Sequence, residues 1–254
     1  NTLLLLPFIN PFTRLVEKLI PGEISIEHMG ALYLDEHLMK TPSVALGQAR
    51  RELVRMGRLA LAMLEEVYKA FAQGSAEGLE AAAKKEENIN LLEHAVVDYL
   101  ARLSQESLSR EQSDRIPALL SISSDIERIG DLAENIGELA EYRAEHRLPF
   151  SEEATREMQT MYDKVHDLVA DAISLLETDN IEGATSLLDH ESEVDAMEKT
   201  LRLRHIHRLN TGNCFPASGI IFLDLISNLE RVADHATNIT EAVAGIESDE
   251  SYGD

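Results

Sequence analysis

Glu127, Asp131 and Asn135 follow one another at four-residue intervals, and Glu230, Asp234 and Asn238 repeat that spacing 103 residues later. The stretches around them, residues 124–136 and 227–239, are identical at seven of 13 positions, most of them polar. Side chains at i, i+4 and i+8 of a helix lie in one row. Two carboxylates in such a row repel by a few tenths of a kcal/mol unless a cation relieves them. Oxygen ligands of this kind suit a hard or borderline divalent cation, so metal binding is the chemistry these residues could perform. The plainer alternative is a pair of solvated helix faces, or acids neutralised by Arg128 and Arg231.

The repeat reaches beyond these rows and supplies facing partners. Without a gap, a shift of 105 residues places Met56 on Met161, Glu86 on Glu191, Ile89 on Val194, Asn90 on Asp195 and Glu93 on Glu198. Short connections make consecutive helices antiparallel neighbours. That arrangement sets Glu230 opposite Asp195 and Asp234 opposite Glu191, and brings Glu127 and Asp131 within about a turn of Asn90 and Glu86. Each half then offers four oxygen-bearing side chains: Glu86, Asn90, Glu127 and Asp131 in the first, Glu191, Asp195, Glu230 and Asp234 in the second. The neutral Asn90 predicts a weaker first site, because each missing anion lowers the attraction for a dication.

Other reactive residues form weaker patterns. His235 adjoins Asp234 but points roughly 100° away from it on a helix, as a ligand or a supporting group. His205 and His207 fall on different faces. Asp163, His166, Asp167 and Asp171 cluster on the fourth helix, but the matching first-half positions Arg58, Leu61, Ala62 and Glu66 do not reproduce them, which predicts a solvated polar face. Cys214 is the only cysteine and reads as a plain loop thiol. No Gly-rich phosphate loop, nucleophile elbow or Cys-x-x-Cys pair is present. A di-iron carboxylate enzyme would need Glu-x-x-His on two helices, and that motif is absent. No enzymatic activity is expected.

Helices must position these residues. The 254-residue chain is 44% hydrophobic, only 5% aromatic and has no Trp, and its long Ala-, Leu-, Glu- and Arg-rich segments lack alternating β-branched runs. An all-α fold follows, made of two tandem antiparallel three-helix bundles produced by internal duplication. Apolar residues and breakers predict helices over 42–73, 77–106, 112–146, 151–178, 182–209 and 216–246, with Thr41-Pro42 and a Ser109/Gln112 capping box as start signals. The first bundle spans 42–146 and the second 151–246. Residues 1–40 form an irregular lead-in with a short helix around 27–40, and 247–254 an acidic, disordered tail. The apolar stretch of residues 3–12 is too short to span a bilayer. A formal charge of −23 argues against nucleic-acid or anionic-lipid partners and favours cations or basic ones.

The motifs Glu127-Arg128-Ile129-Gly130-Asp131 and Glu230-Arg231-Val232-Ala233-Asp234 resemble the signature of PhoU proteins, phosphate-signalling regulators built from two similar three-helix bundles, over about residues 42–246. Tyr33-Leu34-Asp35, Thr41-Pro42-Ser43-Val44-Ala45-Leu46 and the Leu-rich start resemble the C-terminal PhoU-like domain of bacterial sodium/phosphate cotransporters, just after their last membrane segment. The resemblance implies a regulatory, metal-binding domain of a sodium-dependent phosphate transporter at the cytoplasmic face of the plasma membrane. Its expected partners are the transmembrane portion of the same polypeptide, divalent or trivalent metal ions such as iron or zinc, and further copies of the chain. Glu86, Glu127, Asp131, Glu191, Asp195, Glu230 and Asp234 carry the family's acidic positions, while Asn90 stands where an Asp is usual.

Overall fold

The computed structural model of the chain describes residues 28–178, 181–212 and 214–245, the side chains of residues 181–191 excepted. Within them are six long helices and no strand: α1 (Pro42–Gln73), α2 (Leu79–Leu103), α3 (Arg110–His146), α4 (Glu152–Thr178), α5 (Ile181–Asn210) and α6 (Pro216–Ala244). No described helix is long and apolar enough to cross a membrane. The anticipated capping box closes the start of α3, where the Ser109 hydroxyl accepts from the Gln112 N–H and the Gln112 side chain accepts from the Ser109 N–H. Thr41 behaves differently from expectation. Its side chain makes no capping bond, and Pro42 alone sets the start of α1.

Helices α1, α2 and α3 pack pairwise into one bundle, and α4, α5 and α6 into the other. The halves meet along two seams, α3 against α6 and α1 against α4, so that one apolar core runs through both. On the α1–α4 seam Tyr68 and Tyr162 stack with ring centroids 3.7 Å apart and planes 3° from parallel, a pairing worth about 0.5–1.5 kcal/mol beyond its burial. Gly57 permits the close approach there, since a Cβ at that position would come within 3.0 Å of Ile173. The polar cluster on α4 is only partly a solvated face. His166 reaches across the same seam to Glu65 at 2.8 Å, while Asp163 and Asp167 remain exposed.

The lead-in departs most from the expected form. A single 3-10 turn, Glu36–Leu38, replaces the short helix, and residues 28–35 run as a bent, non-helical strap over α1 and α2. The fully buried Glu52 explains this path. Its Oε2 accepts the backbone N–H groups of Leu32 at 2.8 Å and Tyr33 at 2.7 Å, while Oε1 takes the guanidinium of Arg55. A buried carboxylate without such donors would be strongly destabilising. Residues 1–27 and the expected acidic tail lie outside the described residues.

Candidate functional site

The acidic rows sit on the outer flanks of the two bundles, where α2 meets α3 and α5 meets α6. Each row is held by an apolar stripe one step round its helix: Ile122, Ile126, Ile129, Ala133 and Ile136 are buried on α3, and Leu225, Leu229, Val232, Ala236 and Ile239 on α6. The acids are therefore fixed at the edge of the core, and Glu86, Asn90, Glu127, Asp131, Asp195, Glu230 and Asp234 are all half-buried. Glu191 falls among the side chains that are not described.

In the second half Glu230 lies close to Asp195, as the antiparallel register predicts, while Glu191, the expected partner of Asp234, is among the side chains that are not described. Burial raises the carboxyl pKa of Glu230, and the carboxylates of Asp234, Glu198 and Asp195 raise it further. Burial likewise lifts Asp234, opposed by His235 and reinforced by Asp195. Lys199, one turn along α5, holds Asp195 at 2.6 Å.

The first half shares this pattern with different detail. Burial raises Glu127, Asp131 adds to the effect, Arg128 opposes it and Glu93 adds again. Glu86 is raised by burial and by Glu134, with Asp131 contributing, while a short hydrogen bond from the Asn90 amide works against the shift. Arg128 lies 3.7 Å from Glu127 and 3.5 Å from Asp131 on the solvent side. Among the described residues no three Asp, Glu, His or Cys side chains are already drawn into metal-ligating geometry.

A donor set of this kind fits a cation electrostatically. Carboxylates pushed toward the neutral form by burial and by one another gain most from a nearby positive charge. The set also extends further than spacing suggested. Glu93 bears on Glu127 and Glu198 on Glu230, and these residues occupy matching positions on α2 and α5. Glu198 is buried and bound by Arg202. The match of Glu93 with Glu198 under the 105-residue shift was the available signal for both.

Besides its influence on Asp234, His235 makes a contact across the seam. Its Nδ1 lies 2.9 Å from Asp125 Oδ1 in the first half, and Asn238 donates to the same oxygen at 3.1 Å. The buried Asp125 thus ties α3 to α6 across the seam. His205, 1% exposed, stacks on Phe222 at 4.8 Å and takes no part in the rows, and His207 is exposed.

The PhoU domain pattern matches residues 53–140 and again 158–243, one copy for each bundle. The chain belongs to the PhoU family. PhoU proteins are regulatory accessory proteins and not enzymes. Crystal structures of PhoU from Pseudomonas aeruginosa and of the phosphate transport system regulatory protein PhoU from Streptococcus pneumoniae superimpose with TM-scores of 0.73 and 0.72. At 21% and 23% identity they cover 79% and 82% of this chain and 96% and 98% of their own, establishing the shared fold. Among curated relatives, YjbB of Salmonella typhimurium, named as a proposed inorganic phosphate export protein, is 26% identical over 91% of this chain. The aligned region is 43% of that relative, so the chain spans less than half of its length. PhoU homolog 1 of Thermotoga maritima, named as an accessory protein of phosphate-specific transport, is 32% identical over 52% of the chain and 56% of its own length.

Proposed function

We propose that this PhoU-family chain is a regulatory module of phosphate transport whose two acidic rows bind divalent or trivalent metal ions of the iron or zinc type. It works beside a transmembrane transporter portion of the same polypeptide, at the cytoplasmic face of the plasma membrane, and the transporter is of the sodium-dependent phosphate class. Relatives named for phosphate export and for phosphate-specific transport support the process, and the export relatives extend well beyond the region shared with this chain. In the first half Glu86, Glu127 and Asp131, with Asn90 and Glu93 beside them, would hold the metal. In the second half Asp195, Glu230 and Asp234 would do so, with Glu191 expected from the repeat. Bound metal supplies positive charge that offsets the mutual repulsion of the row and couples the two helices that carry it.

The observation that carries this reading is the recurrence of Glu127 and Glu230, at matching positions, as half-buried carboxylates raised by burial and by carboxylate neighbours. A metal-free helical adaptor is the competing function. It is favoured by Arg128 and Lys199, which already stand against Glu127, Asp131 and Asp195. Elemental analysis after purification at neutral pH, followed by melting with and without a strong chelator, separates the two. Metal binding to the folded state alone stabilises by mass action, about 2.7 kcal/mol at one hundred times Kd. Bound metal and a melting temperature lowered by chelation are expected. A metal-free preparation whose melting temperature ignores the chelator would establish the adaptor instead.

A further inference from the structure

Arg51, Arg55 and Arg58 stand at i, i+4 and i+7 of α1 and form one basic stripe, with Arg50 beside it. Like charges at this spacing repel by a few tenths of a kcal/mol per pair unless an anion relieves them. The fold does not require the stripe. Under the 105-residue shift Arg50, Arg55 and Arg58 fall on Thr155, Thr160 and Asp163, and Arg51 alone keeps a basic counterpart, Arg156. In a chain of formal charge −23 these four arginines line one cavity of about 250 Å³, between α1, Tyr33 of the strap and the last turn of α4. Glu177 is the acid among its described lining residues.

The arginines differ in what they already hold. Arg55 is committed, to Glu52 and to the carbonyls of His28 at 2.9 Å and Gly30 at 2.6 Å, and serves as part of the wall. The exposed Arg51 touches the Tyr33 ring at 4.3 Å and, among the described residues, makes no hydrogen bond or ion pair. Its five N–H donors remain for a ligand. Arg58 holds Glu177 at 2.6 Å, but both side chains are about half exposed. Such a pair contributes about 0–1 kcal/mol, so Arg58 turns readily toward a stronger anion. Glu177 spends Oε2 on Arg58, and a carboxylate can accept about four hydrogen bonds, so it keeps accepting capacity inside the cavity.

We propose that this cavity binds inorganic phosphate, with the guanidinium groups of Arg51 and Arg58 on its oxygens and the Glu177 carboxylate accepting a hydrogen bond from its P–OH. Planar guanidinium forks match the edges of a tetrahedral oxyanion and bind it with charge-assisted hydrogen bonds. The carboxylate sets the specificity. Inorganic phosphate keeps at least one proton at neutral pH and can donate it to Glu177, whereas sulfate has none and sets a bare oxygen against the carboxylate. A phosphomonoester loses its second proton above about pH 6 and meets the same repulsion. This site lies apart from the acidic rows and goes beyond the metal-binding reading.

The test is calorimetric titration of inorganic phosphate into the whole metal-free chain at pH 7.5, where phosphate cannot enter through metal in the acidic rows. Saturable binding in the submillimolar range is expected. Arg51→Ala and Arg58→Ala, both at exposed positions, should each weaken it by about tenfold or more with circular dichroism unchanged. Arg156→Ala should leave it as it was. Sulfate and glycerol phosphate should compete poorly in the parent chain, and Glu177→Gln should admit sulfate while keeping phosphate. No saturable binding at millimolar phosphate overturns the proposal, as does binding that ignores both Arg51→Ala and Arg58→Ala. Sulfate or glycerol phosphate competing as well as phosphate in the parent, or continued exclusion of sulfate by Glu177→Gln, would reject the role of Glu177 and with it the assignment to inorganic phosphate.

Discussion

Glu52 and Glu157 occupy the same place in the two halves, yet Glu52 is saturated by the strap and Arg55, whereas Glu157 meets two arginines beside an open groove. The acidic rows diverge in parallel. Asn90 gives the first row a neutral amide bonded to Glu86, where the second has Asp195 held by Lys199. Duplication preserved the helices, the core stripe and the outer acids in both copies. Among the acids the differences are of charge and hydrogen bonding, as between Asn90 and Asp195, and leave the apolar stripe of each helix buried.

The largest effect separating the halves is expected at the buried glutamates. Glu52→Ala leaves Arg55 buried without its carboxylate and frees the strap, so urea unfolding should show a loss of about 3–5 kcal/mol. Glu157→Ala strips the buried Arg208 of its nearest carboxylate, but Glu153 stays 3.9 Å from that guanidinium and no strap is released, so the loss should be smaller, about 1–3 kcal/mol. Equal losses would mean that the strap adds nothing to the burial of Glu52. Next in size is the seam. Asp125→Ala removes the acceptor shared by His235 and Asn238 and should cost about 1–3 kcal/mol. The second-half counterpart, Asn228, bonds the carbonyl of Asp224 in its own helix, and Asn228→Ala should change stability by less than about 0.5 kcal/mol.

The smallest effects are pH dependences of opposite sign. Burial, then Arg208, lowers the His205 pKa, so the unfolded chain binds more protons below the ordinary value of 6.5. Stability from this residue is present above that value and is lost as pH falls through it. His205→Gln should flatten this slope, measured by chemical unfolding at a series of pH values. Glu127 and Glu230 are raised, so in metal-free protein the folded state holds their protons more tightly. Their contribution grows as pH falls toward the ordinary carboxylate value of 4.5, and Glu127→Gln or Glu230→Gln should remove part of that gain.

The helices were legible from the sequence because their determinants are local: an apolar stripe of period 3.6, Pro42 and Pro216 at helix starts, and the Ser109/Gln112 box. The facing of Glu230 with Asp195 was legible because duplication and short turns fix register. What escaped depends on contacts between distant segments. Nothing near Glu52 announces that its carboxylate will bind Leu32 and Tyr33, and the helical periodicity around 27–40 yielded to that demand. The sequence pairs His235 with the adjacent Asp234, and its second partner, Asp125, is reached only once α3 and α6 pack. The contact of His166 escapes the sequence for the same reason, since Glu65 lies on a helix of the other bundle.

The most direct test of metal binding by the acidic rows is calorimetric titration of zinc into metal-free protein, compared with the Asn90→Asp and Asp195→Asn variants. Two classes of site are expected in the parent, the tighter in the second half, since the first row substitutes a neutral amide for one carboxylate. Asn90→Asp should tighten the weaker class, Asp195→Asn should weaken the tighter one, and the double variant should reverse their order. Equal affinities in the parent chain, or titrations that neither substitution alters, would contradict the account and return both rows to the status of solvated helix faces.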